Sequence, residues 1–296
     1  MGKSTTQGKE GIDVMETNKT ICIALLCDGG KKAVVAIDRM LTSEGLRLQF
    51  EQQLCKIAQI SRNCVVVGAG NALSPTDVLR DAELKIMQLT TPSIRNIANI
   101  IKAEYVKHRK VAVVDQLLKP RGYDSLRDFY DQIRNLPPDI YSILDDKIAR
   151  FHIHEGDVSQ LMVVGIDGTG AHIYLIFDPG RNVCFDSVGF NAIGSGEPHA
   201  VSTITSYDYT SKFSLDQAIW IAYEAKKRAE KAPGVGEDVD LCVISPEEGV
   251  CLVDDKFEKR LQEKFEAKIK QEREFLEGIP SYSKRATAKE GDVPSP

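Results

Sequence analysis

The sequence predicts an α+β protein in which two β-sheets stack on each other and helices cover them. Strand-like runs open the chain, two helical segments follow, more strands come next, and a further helix precedes two closing strands. Such blocks, in place of strict strand–helix alternation, are typical of antiparallel sheets with helices packed against them. The 296 residues are 42% hydrophobic and 27% charged, which suits a globular protein with a sizeable core.

The chain opens with two predicted pairs of strands. The turn of the first pair contains Asp-Gly, a strong hairpin signal, and a polar turn separates the apolar runs of the second. Strands are therefore expected to pair before any helix begins. The runs are 20–26 and 33–38 around the turn at 28–32, and 55–60 and 64–67 around the turn at 61–63.

Two helices are predicted next. The sequence Ser-Pro-Thr-Asp at 74–77 supplies an N-cap, a proline at the first helical position and an acid in the first turn, so we expect a helix to about Leu89. Pro92 and Ser93 begin a second helix, to about Leu118. The polar, tyrosine-rich segment 120–156 interrupts the pattern, and we interpret it as an insertion that carries short helices.

The second half returns to strands. Turn sequences separate three predicted strands of a meander, and the capping-box spacing of Ser214 and Gln217 predicts a helix to about Lys231. Two strands then close the domain, predicted to span 20–255. A charged helical segment and a disordered tail are expected over 256–296, and a polar extension or propeptide over 1–19. The predicted strands are 160–165, 172–178, 182–188, 238–244 and 249–253.

Composition argues against several classes of partner. The net charge is −5 and no basic cluster is interleaved with aromatics, so no nucleic-acid partner is expected. The longest apolar runs are strand-sized, well below the roughly 20 residues of a membrane span, and we expect no membrane segment. The polar first twenty residues lack the apolar stretch of a secretory signal, so a cytoplasmic location is expected.

No cofactor or metal is expected either. The seven cysteines include no Cys-x-x-Cys pair and several lie in apolar runs, which indicates reduced, buried thiols. The stretch 67–72 has two of the glycines of a dinucleotide loop but lacks the third.

Six short motifs occur in a consistent order, and together they resemble those of proteasome β subunits and their bacterial and archaeal relatives, which are N-terminal-nucleophile hydrolases. The resemblance covers roughly 20–253. It implies a four-layer αββα sandwich and a threonine-type amide hydrolase that acts on peptides or proteins as a homo-oligomeric ring or stack. The motifs are Thr20-x-Cys22-x-Ala24, Val35-Ala-Ile-Asp38, Lys56, Val67-Gly-Ala-Gly70, Gly165-x-Asp-Gly-x-Gly-x-His172-x-Tyr174 and Gly194-Ser-Gly196-x-Pro-x-Ala200.

The resemblance also implies roles for individual residues. It places Thr20 at the nucleophile, Lys56 at the lysine that tunes pKa values, and Asp38 at the acid that orients this lysine. Ser195 falls at the serine of the proton network, and Gly70 at the oxyanion-hole amide. The residue types suit this chemistry, because a threonine hydroxyl needs a base and the free α-amine of the same residue can serve. A neighbouring lysine cation would lower the pKa of that amine.

Several positions depart from the family pattern, and three of them leave other functions open. Lys19 precedes Thr20 where proteasome precursors have a glycine, and Ala232 and Val235 stand where the subunits carry an aspartate and a serine. One alternative is a non-catalytic proteasome-like assembly subunit. Another is an acyl-transfer ligase, because an acyl-threonine ester serves a water or an amine acceptor equally.

Overall fold

The computed structural model describes residues 20–43, 48–51, 56–69, 74–132, 135–151 and 160–280. Helices and two five-stranded antiparallel sheets confirm the predicted α+β class. The strands are β1 (Cys22–Cys27), β2 (Lys32–Asp38), β3 (Met40–Ser43), β4 (Leu48–Glu51), β5 (Ala58–Ser61), β6 (Cys64–Ala69), β7 (Gln160–Asp167), β8 (Gly170–Phe177), β9 (Arg181–Cys184), β10 (Phe190–Ile193), β11 (Val239–Ser245) and β12 (Gly249–Leu252). The helices are α1 (Ser74–Ile86), α2 (Ile94–Ala112), α3 (Leu126–Asp131), α4 (Pro138–Ala149), α5 (Glu197–Ser206), α6 (Leu215–Ala229) and α7 (Asp255–Glu277).

The first sheet has the strand order β10-β1-β2-β11-β12. The predicted hairpin forms its centre, and its turn places Asp28, Gly29 and Gly30 at φ values of 51°, 71° and 77°. Glycine adopts this left-handed region without steric cost, and aspartate tolerates it, which explains why the Asp-Gly-Gly sequence forms the turn. The resulting register pairs Cys22 with Ile37, and so brings the start of β1 beside the end of β2.

The second sheet has the order β5-β6-β7-β8-β9, and β3 and β4 form a separate two-stranded ribbon. Alternate side chains of both large sheets share one apolar core, as the twofold periodicity of strands requires. The buried apolar residues contributed by β1, β2, β6, β7 and β8 are Cys22, Ala24, Leu26, Ala33, Val35, Ile37, Val65, Val67, Ala69, Met162, Val164, Ile166, Ala171, Ile173 and Leu175.

Helices pack against the remaining faces of the sheets. Apolar residues of α1 and α2 join those of β5 to β8 in a second cluster, which includes Ala82, Ile97 and Ile101. The helix α6 packs against β1 and β2, and α5 packs against β10. The predicted capping box of α6 is present, since Ser214 Oγ accepts from the Gln217 amide and the Gln217 side chain accepts from the Ser214 amide.

Four elements were not predicted from the sequence: the strands β3, β4 and β10 and the helix α5. The sequence of α5 is rich in serine, threonine and β-branched residues, which have weak helix propensity. The hydroxyls of Thr203 and Thr205 donate hydrogen bonds to carbonyls of the preceding turn, so both hydroxyls have partners inside the helix. Packing against the sheet therefore overrides propensity here. The second predicted helix also differs: α2 ends at Ala112 and residues 113–118 continue as wider π-helical turns.

The segment interpreted as an insertion contains the short helices α3 and α4. They surround a small core of their own around Phe129, with Leu118 and Leu144 among its buried members. Arg109 of α2 donates from Nε to the Phe151 carbonyl at 3.0 Å and from Nη2 to the Ala149 carbonyl at 3.0 Å, which ties the end of α4 to α2. Residues 152–156 of the segment lie outside the described residues.

A second compact unit begins at Asp254 and contains α7. Asp254 caps this helix, because its Oδ1 accepts from the Phe257 amide at 2.8 Å. Arg260 lies 4.9 Å from the centre of the Phe257 ring, a cation–π contact. The predicted propeptide 1–19 and the tail beyond residue 280 lie outside the described residues. Within the described ranges, no helix combines the length and the apolar character needed to cross a bilayer.

Candidate active site

Thr20 and Asp38 meet at one end of the first hairpin. Thr20 lies two residues before β1, and Asp38 is the last residue of β2, so their antiparallel register sets them side by side. Thr20 Oγ1 donates a hydrogen bond to Asp38 Oδ1, and the Ile21 amide donates to the same oxygen at 3.2 Å. Both side chains are buried, Thr20 at 4% and Asp38 at 0% exposure. The carboxylate therefore depends on protein donors in place of water.

Lys56 completes a cluster with these two residues. It lies just before β5, in the second sheet, and its Nζ is 3.3 Å from Thr20 Oγ1 and 3.2 Å from Asp38 Oδ1. Only 12% of the lysine side chain is exposed. A buried carboxylate without a counter-ion is strongly destabilising, and the ion pair with Lys56 offsets this cost for Asp38. The structure thus brings together three residues that the sequence analysis singled out.

Ser195 contacts the backbone of Thr20. Its Oγ lies 3.4 Å from the Thr20 carbonyl oxygen and 3.2 Å from the Pro233 carbonyl oxygen, so one hydroxyl proton is shared between the two acceptors. The Gly196 amide donates to the same Thr20 carbonyl at 3.3 Å. Gly194 makes this approach possible. It has φ +104°, and a Cβ at this position would lie 2.3 Å from the Thr20 carbonyl oxygen. The turn 194–196 therefore holds Thr20 through its backbone.

Gly236, in the loop 230–238 between α6 and β11, is a backbone donor to the site that was not predicted from the sequence. Its amide donates to Asp38 Oδ2 at 3.0 Å, so both carboxylate oxygens accept hydrogen bonds. The only trace of this donor in the sequence is the Gly-Val-Gly run at 234–236. Ala232 and Val235 of the same loop are both buried. The Asp238 carboxylate points to Arg39, with 3.9 Å between its Oδ2 and Arg39 Nη1.

Gly70, expected at the oxyanion-hole amide, lies outside the described residues. The neighbouring strand β6 is described up to Ala69, and Cys22 Sγ donates to the carbonyl of Gly68 at 3.4 Å, so this strand runs beside the start of β1. Burial raises the pKa of the Cys22 thiol far above its ordinary value, although the nearby charge of Lys56 acts in the opposite direction. Cys22 therefore stays a neutral packing residue and no competing nucleophile.

A second polar cluster joins α1 and α2. Asp81, Glu104 and His108 bring ligand atoms within 4.8 Å of one another there. Lys107 Nζ lies 3.0 Å from Asp81 Oδ2 and 3.2 Å from Glu104 Oε2, and Lys85 also pairs with Glu104. Because protein cations already compensate these carboxylates, we assign the cluster a structural role.

A cavity of about 920 Å³ opens beside the turns 61–63 and 167–169, and none of the Thr20 cluster lines it. His172 borders this cavity, with Nδ1 2.6 Å from Asp186 Oδ2 and Nε2 3.2 Å from Asp167 Oδ1. Burial alone would lower the pKa of His172, but the hydrogen bonds and charges of Asp186 and Asp167 outweigh it and raise that pKa.

Comparison with known proteins agrees with the motif resemblance. No family model matches the chain. Its sequence is 36% identical over 90 residues to proteasome subunit beta 2 of Staphylothermus marinus, a match that covers 30% of this chain and 41% of that protein. It is 31% identical over 104 residues to a proteasome subunit beta of Ferroglobus placidus, covering 35% of this chain and 48% of that protein.

A proteasome subunit beta of Methanopyrus kandleri is 35% identical over 91 residues, or 30% of this chain and 41% of that protein. The chain thus spans less than half the length of each of these relatives. These similarities support a proteasome-like family for the chain, without distinguishing a branch within it.

Proposed function

We propose that this protein is a proteasome-like threonine-type N-terminal-nucleophile hydrolase, which cleaves peptide bonds with Thr20 after residues 1–19 are removed. The observation that carries the proposal is the buried cluster of Thr20, Asp38 and Lys56, in which Lys56 Nζ lies 3.3 Å from Thr20 Oγ1. The similarity to proteasome β subunits supports it. The helices packed on two stacked sheets support the four-layer αββα sandwich that this family assignment requires.

In the proposed reaction, hydrolysis of the Lys19–Thr20 bond first frees the α-amine of Thr20. This amine takes the proton of Thr20 Oγ1 as the oxygen attacks the substrate carbonyl carbon. The resulting tetrahedral intermediate collapses, the amine passes its proton to the leaving nitrogen, and an acyl-threonine ester remains. A water molecule, deprotonated by the same amine, then hydrolyses the ester and restores the hydroxyl.

Lys56 and Asp38 support this proton transfer. The ammonium of Lys56 next to the freed amine disfavours its protonated form, because two like charges in a buried site repel. Asp38 holds that ammonium in place, with 3.2 Å between Lys56 Nζ and Asp38 Oδ1. We assign the oxyanion-hole amide to Gly70, a contribution typically worth about 10²- to 10³-fold in kcat.

We further propose that the protein assembles as a homo-oligomeric ring or stack in the cytoplasm and acts on peptides or proteins. The naming of its relatives as proteasome subunits supports assembly. Neither a nucleic acid nor a membrane is part of this proposal.

A second candidate function is a non-catalytic proteasome-like assembly subunit. It is favoured by Ala232 and Val235, both buried and apolar where the resembling subunits carry an aspartate and a serine, and by Lys19 before Thr20. In this case Thr20 stays inside the chain, and its hydrogen bond to Asp38 serves only to hold the hairpin together.

The experiment is the intact mass and N-terminal sequence of the protein purified from its native cell, followed by hydrolysis of fluorogenic peptides. The hydrolase proposal expects a chain that begins at Thr20 and a T20A variant without activity, while T210A, at an exposed threonine, stays fully active. A folded oligomer that retains Lys19 and cleaves no peptide favours the assembly subunit. A new amide product on addition of an amine acceptor would indicate ligation.

A further inference from the structure

A fully buried lysine lies behind the Thr20 cluster and has no part in the reaction described above. Lys226 of α6 has 0% of its side chain exposed. Its Nζ donates to Glu230 Oε1 at 2.7 Å and to the backbone carbonyl of Glu237 at 2.5 Å. Burial lowers the pKa of Lys226, and the charges of Glu230 and Asp38 act in the opposite direction. An ammonium is costly to bury unless it is paired, and here the Glu230 carboxylate and the Glu237 carbonyl compensate it.

The contact with Glu237 leads directly to the candidate site. Glu237 follows Gly236, whose amide donates to Asp38 Oδ2 at 3.0 Å. The same loop is held at a second point, where Ser195 Oγ donates to the Pro233 carbonyl at 3.2 Å. Because Glu237 directly follows Gly236, fixing the Glu237 carbonyl restricts the backbone torsions next to Gly236. This restriction sets the direction in which the Gly236 amide points.

The hydrogen bond that the loop donates to Asp38 comes from its backbone. Ala232 and Val235 are apolar and buried, so they donate no hydrogen bond to Asp38. The Asp238 side chain faces Arg39. A backbone donor such as the Gly236 amide is only as well placed as the loop that carries it.

We propose that Lys226 is a positioning residue that holds the Gly236 amide on Asp38 Oδ2 through its hydrogen bond to the Glu237 carbonyl. With Oδ2 occupied by Gly236, Oδ1 remains directed at Lys56 and Thr20. This inference deepens the proposed function and rests on it for its catalytic consequence. Its structural part, the link from Lys226 to Gly236, is tested separately.

Lys227 offers a matched control. It forms the same ion pair with Glu230, with 2.7 Å between its Nζ and Glu230 Oε1, but lies 3.5 Å from the Glu237 carbonyl oxygen. A hydrogen bond at that distance is weak. Lys226→Met and Lys227→Met therefore both remove a cation from Glu230, whereas only the first removes the short bond to Glu237.

The experiment compares the full-length variants by hydrogen–deuterium exchange resolved to the Gly236 amide, and by kcat and KM for peptide hydrolysis. K226M is expected to accelerate exchange at Gly236 by about tenfold or more, because the loop opens locally more often once its hydrogen bond to Lys226 is lost. Its kcat should fall by about 10- to 100-fold with KM unchanged, since a small misplacement of supporting groups has that effect. K227M should match the wild type in both readouts.

A double variant keeps the test decisive if K226M does not fold. Lys226→Met with Glu230→Met removes the buried ion pair as a unit, which proteins often tolerate, while the donor to Glu237 is still lost. The same faster exchange and lower kcat are expected. Wild-type exchange at Gly236 in K226M or the double variant would overturn the proposal, as would equal effects of K226M and K227M. If the wild type hydrolyses no peptide, the proposed function fails, and exchange at Gly236 alone decides the role of Lys226.

Discussion

Lys56 Nζ lies 3.3 Å from Thr20 Oγ1, although 36 residues separate the two in the chain. They come from different sheets, Thr20 from the start of β1 and Lys56 from the residues before β5. Packing of the two sheets through their shared core is what brings a cation to this hydroxyl. The candidate chemistry therefore depends on sheet stacking as much as on the hairpin.

Removing the Lys56 ammonium should affect both activity and stability. Lys56→Met leaves the buried Asp38 carboxylate without a counter-ion, and we expect the free energy of unfolding to fall by about 3 kcal/mol. Peptide hydrolysis should fall on the order of 10²- to 10⁴-fold, because proton transfer from Thr20 loses its tuning charge. Urea denaturation and peptide kinetics measure the two effects. The exposed Lys212 supplies the control variant, K212M. Wild-type activity in K56M would refute the assigned role of Lys56.

Gly194 should accept no side chain. Gly194→Ala would set a methyl group 2.3 Å from the Thr20 carbonyl oxygen, whereas a methyl group on Gly29, also at positive φ, would meet no atom within 4 Å. G29A thus reports backbone strain alone, roughly 1–2 kcal/mol. G194A should lower the free energy of unfolding by about 2–4 kcal/mol, because steric overlap adds to strain. Equal losses in the two variants, measured by thermal and urea unfolding, would show that the close contact with Thr20 is unimportant.

The stability of the His172 turn should depend on pH. Asp186 and Asp167 raise the pKa of His172 in the folded protein, above an unfolded value of about 6.5. The charged histidine therefore stabilises the fold fully below that pH, and this contribution is lost as the pH rises through the higher folded pKa. Relative to H172Q, the wild type should lose unfolding free energy as the pH rises from about 6.5 through the higher folded pKa of His172. Parallel curves for the two proteins across this range would contradict the assignment.

Arg109 should control local opening of the segment around α4. Its guanidinium donates to the carbonyl of Ala149, one of the last four carbonyls of α4, and to the carbonyl of Phe151 just beyond the helix. Arg109→Met should speed hydrogen exchange in residues 141–151 and leave the β-sheets unaffected. The adjacent, exposed Lys110 provides the control variant K110M. Unchanged exchange in R109M would mean that the small core around Phe129 holds α4 by itself.

The sequence predicted the hairpin and the helix caps because these depend on local residue types. The Asp-Gly turn at 28–29 and the capping box at Ser214 are examples that the structure confirms. Register then set Thr20 beside Asp38. The proximity of Lys56 followed from family resemblance only, since contacts between sheets leave no local pattern.

Other features of the structure could not be predicted from the sequence, because no local residue pattern encodes them. Gly236 acts through its backbone amide, which every residue except proline possesses, and only the position of the loop gives it a role. Lys226 looks like one more charged residue in the run Lys-Lys-Arg at 226–228, and its burial depends on how α6 packs. The helix α5 has a sequence that local propensity disfavours, so tertiary packing alone explains it.

The central claim is that Thr20 is a nucleophile, and covalent trapping tests it most directly. The protein from its native cell would be treated with an electrophilic β-lactone and the modified site located by peptide mass spectrometry. The hydrolase account predicts one acyl group, on the hydroxyl of an N-terminal Thr20, with much slower labelling in K56M and none in T20A. A folded protein in which Lys19 remains bonded to Thr20 and no adduct forms there would contradict the account.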